Sequence, residues 1–306
     1  MFRVLGKTNI NFIGMRYAGF VLSAILLSLG LVATFMVFTG KARLGIDFSG
    51  GTMIQGNFAN PVDIGRLRSA LSSAGYSDAI IQKLEREIPN SYLIRVKATA
   101  ETGSKTAQSL VEVLQREFPD NPYNLDSVDE VGPSVGRELR GKARLAVLIS
   151  LIGIMIYIWL RFDFRSGVAA AVSTFHDVLA VFGIMFILQK ETNLLLITAL
   201  LTLAGYSLTD KVVILDRIRE DLKLYRKQGN FSSLVNTAIN QVLSRTIITG
   251  TSVLLVLLTL VFFGGEVLSD FALALFIGVL MGTYSSVFVT SPLMVEWENR
   301  SPKRFK

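Results

Sequence analysis

The sequence predicts an α-helical membrane protein that spans the bilayer six times and carries one α+β domain. Two observations lead to this prediction. Hydrophobic residues make up 51% of the 306 residues and charged residues only 18%, below the roughly 25% of an ordinary soluble domain. The charge is also segregated, because six long stretches are nearly free of it while the residues between them are not. A soluble globular protein is therefore disfavoured.

Each predicted span is a run of mainly apolar residues close to the length that crosses a bilayer. A helix needs about 20 such residues for a hydrocarbon core of about 30 Å. The second run is short, and we expect its helix to continue through Lys142 and Arg144, whose long side chains can reach the interface. The first run is too long for a signal-peptide core, which indicates an uncleaved anchor. The runs are 17–38, 145–160, 167–188, 194–215, 246–264 and 271–295.

The basic residues predict how the chain is oriented. Lys and Arg concentrate near the N-terminus, in the loops after the second and fourth runs, and in the tail, whereas the other two short loops contain Lys190 among acids. Short basic loops stay in the cytoplasm. We therefore expect residues 1–38 to hold a cytoplasmic N-terminus and the first span, 39–143 an extracytoplasmic domain, 144–295 five further spans, and 296–306 a basic cytoplasmic tail. The net charge of +7 is explained by topology and does not indicate nucleic-acid binding.

The segment 39–143 has the pattern of an independently folded domain. Asn60 and Pro61 resemble the N-cap and first position of a helix that Gly75 terminates. A second amphipathic helix and two further strands follow. The order β-α-β-β-α-β is that of the ferredoxin-like fold. The predicted elements are strand 43–58, helix 60–75, strands 79–86 and 91–97, helix 104–118 and strand 123–131.

Composition also excludes several kinds of chemistry. The chain has no cysteine and one histidine, so it offers no thiol nucleophile, no cysteine-ligated metal and no multi-histidine metal site. No nucleophile–base pattern is present, and the charged residues of 39–143 are interleaved as on a solvated surface. The sequence therefore predicts a protein that is not an enzyme and has no cofactor.

The residues after the first span are the first of several that match a known family. Gly45-Ile46-Asp47-Phe48-Ser49-Gly50-Gly51 resembles the opening signature of the SecD/SecF family, in which Gly45, Asp47, Phe48, Gly50 and Gly51 are the marked positions. The run 216–220, Asp-Arg-Ile-Arg-Glu, is more similar to the SecF branch than to SecD. The other matching segments are 131–136, 176–177, 205–210, 243–246 and 282–286.

The resemblance implies a fold, a role and partners. It implies a six-helix half of an RND-like transporter in the bacterial plasma (inner) membrane, which pairs with SecD. It further implies that the pair joins the SecYEG channel, with YajC and YidC as further candidate partners. The pair would use the proton-motive force to promote preprotein translocation. The coupling ion would be a proton, with sodium left open, and lipid would surround the spans.

Asp210 and Arg245 are the predicted proton-coupling pair. A charge inside a span is expensive and is a functional hypothesis by default. Asp210 lies deep in the fourth run, and Arg245 opens the antiparallel fifth run from the same side. The resemblance implies that this Asp and Arg are associated with coupling. Because a guanidinium does not lose its proton in practice, Asp210 is the expected carrier and Arg245 its partner. Structural roles, a membrane anchor for Arg245 and a bundle hydrogen bond for Asp210, remain alternatives.

Lys211 departs from the family, where a hydroxyl residue is expected. Neighbouring helical residues point about 100° apart, so two orientations are open. The ammonium either reaches the cytoplasmic interface along its flexible stem or faces Asp210 and hinders protonation. We favour the first orientation.

Three further features are less specific. His176 and Asp177 lie near the middle of the third run, where they form either a relay or a satisfied polar contact between helices. Gly278 and Gly282 have the G-x-x-x-G spacing that allows close helix packing, within this chain or against a partner. Two other functions stay open, a stand-alone RND-like small-molecule exporter and a scaffold that stabilises the translocon without transport.

Overall fold

The computed structural model describes residues 8–84, 88–97, 106–224 and 230–302, and of residues 266 and 267 the backbone alone. The chain forms two compact units. The first comprises Met1–Arg43, Ala146–Glu191 and Leu195–Lys306, and the second Leu44–Leu145 and Thr192–Leu194.

In chain order the elements are α1 (Arg16–Phe38), α2 (Ile46–Ser49), β1 (Gly51–Phe58), α3 (Ile64–Ser73), β2 (Ile80–Leu84), β3 (Ser91–Lys97), α4 (Thr106–Glu117), β4 (Tyr123–Val131), α5 (Pro133–Arg161), α6 (Phe164–Ile187), α7 (Leu194–Leu224), α8 (Phe231–Phe263), α9 (Gly265–Ser285) and α10 (Ser291–Arg300). A 3₁₀ turn, Ile13–Met15, precedes α1, and a π turn, Ser286–Thr290, joins α9 to α10.

Six helices in the described residues are long and apolar enough to cross a membrane. They are α1 with its 3₁₀ turn, α5, α6, α7, α8 and the continuous helix that α9, the π turn and α10 form together. The helix expected at 145–160 continues through Lys142, which pairs with Glu138 one turn earlier at 2.7 Å. The prediction of six spans is confirmed.

Glycines allow a close approach between two helices of the first unit. Where α1 meets α6, a Cβ atom added to Gly30 would lie 2.2 Å from the carbonyl oxygen of Leu179, and one added to Gly183 would lie 2.6 Å from the backbone nitrogen of Gly30. The two backbones therefore touch without an intervening side chain. Small residues allow this contact, which gives van der Waals attraction where no hydrophobic effect operates between helices.

The second unit contains a four-stranded antiparallel sheet in the order β2-β3-β1-β4. Gly51 of β1 lies opposite Lys97 of β3 and Val131 of β4. Helices α3 and α4 pack on the sheet over one apolar core, so the ferredoxin-like order is confirmed. The fully buried residues of this core include Ile54, Leu67, Leu71, Tyr92, Ile94, Leu110 and Leu114.

Two boundaries in this unit differ from prediction. The strand expected from 43 begins at Gly51, because the residues before it form α2 and the chain then turns through positive φ at Gly50 (70°) and Gly51 (149°). The N-cap of α3 is Asp63, whose carboxylate accepts from the backbone N–H of Arg66 at 3.1 Å. The prediction of Asn60 as the N-cap was wrong, because α3 begins only at Ile64. The backbone N–H of Asn60 instead donates to Asn121 Oδ1. The expected strand end at 86 and helix start at 104 lie outside the described residues.

Candidate functional site

A fully buried ion pair joins α6 to α7 inside the first unit. Asp177 of α6 and Lys211 of α7 are both 0% exposed, and Lys211 Nζ lies 2.6 Å from Asp177 Oδ2. Without its partner, each span would bury an uncompensated charge, which costs about 2.5 to 3.5 kcal/mol per residue on insertion scales. Pairing compensates both charges at once, which is why these two side chains meet in the apolar core.

Hydroxyl groups from two helices complete the surroundings of Asp177. Oδ2 also accepts from Ser207 Oγ of α7 and from Ser285 Oγ of α9, the latter at 2.6 Å. The ammonium of Lys211 donates in turn to Ser207 Oγ and lies 3.4 Å from the Ser207 carbonyl oxygen. Three helices therefore converge on one carboxylate.

His176 holds the other oxygen of the same carboxylate. Its Nδ1 lies 3.0 Å from Asp177 Oδ1, and an ionised carboxylate can only accept, so Nδ1–H donates. Nε2 is buried and has no hydrogen-bond partner among the residues that the structure describes. His176 thus orients the carboxylate of Asp177.

The favoured orientation of Lys211 was wrong, because the ammonium does not reach the interface. Nor does it contact Asp210 among the described residues, although its charge acts on Asp210 through its field. The stem turns inward, and the ammonium contacts Asp177 and Ser207. The i,i+4 spacing of Ser207 and Lys211 puts both on one face of α7, while Asp210 points away by about 100°. An unpaired Asp177 in the core would be more costly than the desolvation of an ammonium that gains an ion pair.

Asp210 has a different environment from Asp177. It is 7% exposed, and Oδ2 accepts one hydrogen bond, from Thr283 Oγ1 of α9 at 3.2 Å. Among the described residues no basic group lies within ion-pair distance of its carboxylate. Two basic residues act on Asp210 only through their field, first Lys211 and then Arg245, which is exposed. The coupling role of Asp210 and Arg245 stays a prediction, and their geometry is that of separated charges.

Gly278 and Gly282 face α7. A Cβ atom at Gly278 would lie 2.5 Å from a methyl carbon of Leu203, and one at Gly282 would lie 3.2 Å from Ser207 Cβ. The G-x-x-x-G face therefore packs within this chain. It lets α9 come close enough for Thr283 and Ser285 to reach the two carboxylates of the site.

Sequence reasoning missed Ser207, Thr283 and Ser285. A signal was present for the first, because Ser207 stands one turn before Lys211 on the same helical face. Thr283 and Ser285 lie in the family-like segment 282–286, but their hydrogen-bond partners are on other helices, so the sequence did not indicate their roles. In the described residues no group of three His, Cys, Asp or Glu side chains could hold a metal ion.

The segment Gly45–Gly51 lies in the second unit, where it packs against the start of α5. A Cβ atom at Gly136 would lie 3.0 Å from the backbone nitrogen of Gly50. Phe48 is buried, and its carbonyl oxygen accepts from Arg140. Asp47 Oδ2 accepts from the backbone N–H of Leu194 at 2.9 Å. These residues hold chain segments of the second unit together.

Six spans, one ferredoxin-like domain and a charged core inside the bundle define an integral membrane protein with an RND-type fold. Residues 111–300 match the family described as "Protein export membrane protein SecD/SecF, C-terminal". The chain is 47% identical to the protein translocase subunit SecF of Thermodesulfovibrio yellowstonii over 96% of its own length and 97% of that protein. It is 39% identical to the SecF of Pseudomonas aeruginosa over 95% of this chain and 92% of the other. The chain belongs to the SecF family.

Solved structures agree with this assignment. The crystal structure of SecDF from Thermus, described as a translocon-associated membrane protein, superposes with a TM-score of 0.82 at 37% identity and covers 96% of this chain. A second SecDF structure, in a "Super-membrane-facing form", gives a TM-score of 0.69 at 37% identity and covers 98% of this chain. This chain spans 39% and 40% of those two SecDF chains. The RND-type fold class is confirmed.

Proposed function

We propose that this SecF-family protein pairs with a SecD chain and uses an ion gradient to promote preprotein translocation through the SecYEG channel. The similarity to SecDF supports a partner, because more than half of the SecDF chain has no counterpart in this one. YajC and YidC are further candidate partners. The proton is the proposed coupling ion, and sodium is the alternative that the experiments below distinguish.

One observation supports ion coupling at Asp210. It is a carboxylate buried in a span, with one neutral hydrogen bond and no ion pair among the described residues. A buried and uncompensated carboxylate is most cheaply accommodated by taking up a proton. Asp177 lacks this property because Lys211 compensates it. Asp210 is therefore the proposed carrier, and Arg245 supplies a positive field whose distance can change during the cycle.

The scaffold alternative would be favoured by a lysine paired directly with Asp210, because such a pair would hold that carboxylate ionised. The ammonium of Lys211 instead pairs with Asp177 and acts on Asp210 only through its field, which weakens that alternative. The exporter alternative has no supporting observation in the described residues.

The test replaces Asp210 by Asn and measures preprotein import into inverted membrane vesicles with and without a gradient. We expect normal membrane insertion and normal assembly but loss of the stimulation that depends on the gradient. Asp270→Asn is the matched control, because Asp270 is a partly exposed acid of α9 that pairs with Lys190 at 2.6 Å. Applying a proton or a sodium gradient separately identifies the ion. Full stimulation in the assembled Asp210→Asn protein would support the scaffold.

The proposed orientation places both termini in the cytoplasm and residues 39–143 outside it, in the bacterial plasma membrane. Because the chain contains no cysteine, a single introduced cysteine reports its side by reaction with an impermeant maleimide. Ser127 on β4 and Ser233 near the start of α8 are both exposed. In cells with a permeable outer layer we expect Ser127→Cys to react at once and Ser233→Cys only after the plasma membrane is opened. The reverse pattern would invert the topology.

A further inference from the structure

Two carboxylates lie buried among α6, α7 and α9, and their neighbours differ in kind. Asp210 has one hydrogen bond, from a neutral hydroxyl. Asp177 has contacts from Lys211, Ser207, Ser285 and His176. The difference in surroundings predicts a difference in behaviour.

Donors from three helices surround Asp177. Lys211 Nζ, Ser207 Oγ and Ser285 Oγ point at Oδ2, and His176 Nδ1 donates to Oδ1. A proton on Asp177 would remove its negative charge and leave the Lys211 ammonium buried without a counter-charge. Breaking a buried ion pair in this way is strongly unfavourable.

The charge balance around Asp177 depends on Lys211. On α6 the adjacent titratable group is His176, and on α7 the groups are Lys211 and its neighbour Asp210. On α9 the group is Tyr284, whose hydroxyl hydrogen-bonds with Ser23 Oγ at 3.0 Å and donates to the Gly19 carbonyl oxygen at 2.7 Å. The acids of α10 and the base of α1 are engaged elsewhere, since Glu296 pairs with Arg16 and Glu298 with Arg165. Within the described residues, the ammonium of Lys211 is thus the side chain that forms an ion pair with Asp177 and brings it a positive charge.

We propose that Lys211 is the built-in counter-ion of Asp177, which keeps that carboxylate ionised throughout the cycle and leaves Asp210 as the single exchangeable carboxylate of this core. Lys211 acts through Asp177 and is a positioning residue, not an ion carrier. This inference rests on the proposed function only in taking Asp210 as the group that exchanges. It limits each cycle of this half of the transporter to one proton or one cation.

The first test is Lys211→Met in the full chain in lipid, in choline chloride without sodium, with infrared detection of protonated carboxyl groups. Methionine keeps the length of the side chain and removes the charge. At neutral pH we expect the signal of one additional protonated carboxyl per chain, because Asp177 must now be neutralised by a proton. The control Lys211→Met/Asp177→Asn must lack this additional signal. A folded Lys211→Met protein with no new signal would overturn the proposal, since Asp177 would then stay ionised without the ammonium.

The second test does not require the single variant to fold. Lys211→Met/Asp177→Asn removes both charges together, and replacing a buried ion pair as a unit is often tolerated. We expect the double variant and the unaltered chain to show the same pH-dependent carboxyl signal from the spans, because in both only Asp210 exchanges. A smaller signal in the double variant would show that Asp177 takes part in exchange and would overturn the proposal.

The failure of this proposal differs from the failure of the proposed function. If Asp210→Asn leaves the pH-dependent carboxyl signal unchanged, Asp210 does not exchange, and coupling at that residue is wrong. If Asp210→Asn reduces the signal but Lys211→Met shows no additional protonated carboxyl, the proposed role of Lys211 is wrong and coupling at Asp210 is unaffected.

Discussion

The contact between α1 and α6 allows a test in which one substitution is made at two glycines with opposite surroundings. At Gly183 an added Cβ atom would lie 2.6 Å from the backbone nitrogen of Gly30 and 2.7 Å from the carbonyl carbon of Leu29. At Gly153 of α5, apart from its chain neighbours and the adjoining backbone of its own helix, no described atom lies within 4 Å of the added carbon. Both glycines are inside spanning helices, so Gly→Ala changes the same backbone entropy at both.

The expected magnitude is the difference between the changes in the free energy of unfolding that the two substitutions cause. Alanine in place of a helical glycine gains about 0.5 to 1 kcal/mol from backbone entropy, and this gain cancels between the two sites. The remaining difference is steric, and inserting a methyl group into a packed contact costs about 1 to 3 kcal/mol. The obstacles at Gly183 are backbone atoms of another helix, which cannot rotate away. We therefore expect Gly183→Ala to be less stable than Gly153→Ala by a value in the upper half of that range.

The assay is reversible unfolding of the purified chain in mixed micelles with increasing dodecyl sulfate. The two tryptophans of the chain give a fluorescence signal for each variant. Gly153→Ala should unfold at or above the denaturant concentration of the unaltered chain, and Gly183→Ala clearly below it. Equal midpoints for the two variants would refute the close backbone contact between α1 and α6.

Three further outcomes are expected. In the same unfolding assay, Asp177→Asn should lose about 3 to 5 kcal/mol, because it leaves the Lys211 ammonium buried and unpaired. Lys211→Met should lose less, because a proton then neutralises Asp177, and the double variant should lose much less than the sum of the two. The isolated fragment 44–145 should melt cooperatively by circular dichroism, and a disordered fragment would show that it depends on the spans. In that fragment Tyr123→Phe should lose about 1 kcal/mol with the hydrogen bond to the Tyr92 carbonyl. Burial raises the pKa of Tyr123, so the unfolded chain releases this proton first, and stability should fall above about pH 10 less steeply in the Phe variant.

The spans and the order of elements could be predicted because each depends on local patterns. A run of apolar residues long enough to cross the bilayer can be identified from the sequence alone. The strand β4 was likewise predicted at its observed bounds, from 123 to 131. The boundaries that failed depend on contacts with distant segments. Asn60 is a good N-cap by type, yet its backbone is held by Asn121, which is far away in the sequence.

The candidate site shows the same limit. Asp210 was recognisable because a charge within a span stands out from its neighbours. The position of Lys211 was not, because a four-carbon stem can extend toward water or toward the core, and the choice depends on where Asp177 of another helix lies. Two opposite charges in neighbouring spans were the available clue, since each would otherwise be uncompensated. The separation of Arg245 from Asp210 depends on how α7 and α8 pack, so the spacing of the two residues in the sequence could not predict it.

The π turn at Ser286–Thr290 constrains how this chain can change length during evolution. A π turn spaces hydrogen bonds five residues apart where an α-helix spaces them four apart, and Ser291 Oγ accordingly reaches back to the Ser286 carbonyl oxygen at 2.9 Å. Deleting one residue here would let an ordinary α-helix run through, but it would rotate everything beyond by about 100°. Glu298 would then turn away from Arg165, with which it pairs at 2.7 Å. Ser285, before the turn, contacts Asp177, and Glu298, after it, contacts Arg165. We expect the number of residues between Ser285 and Glu298 to be the same in any relative that retains these two contacts.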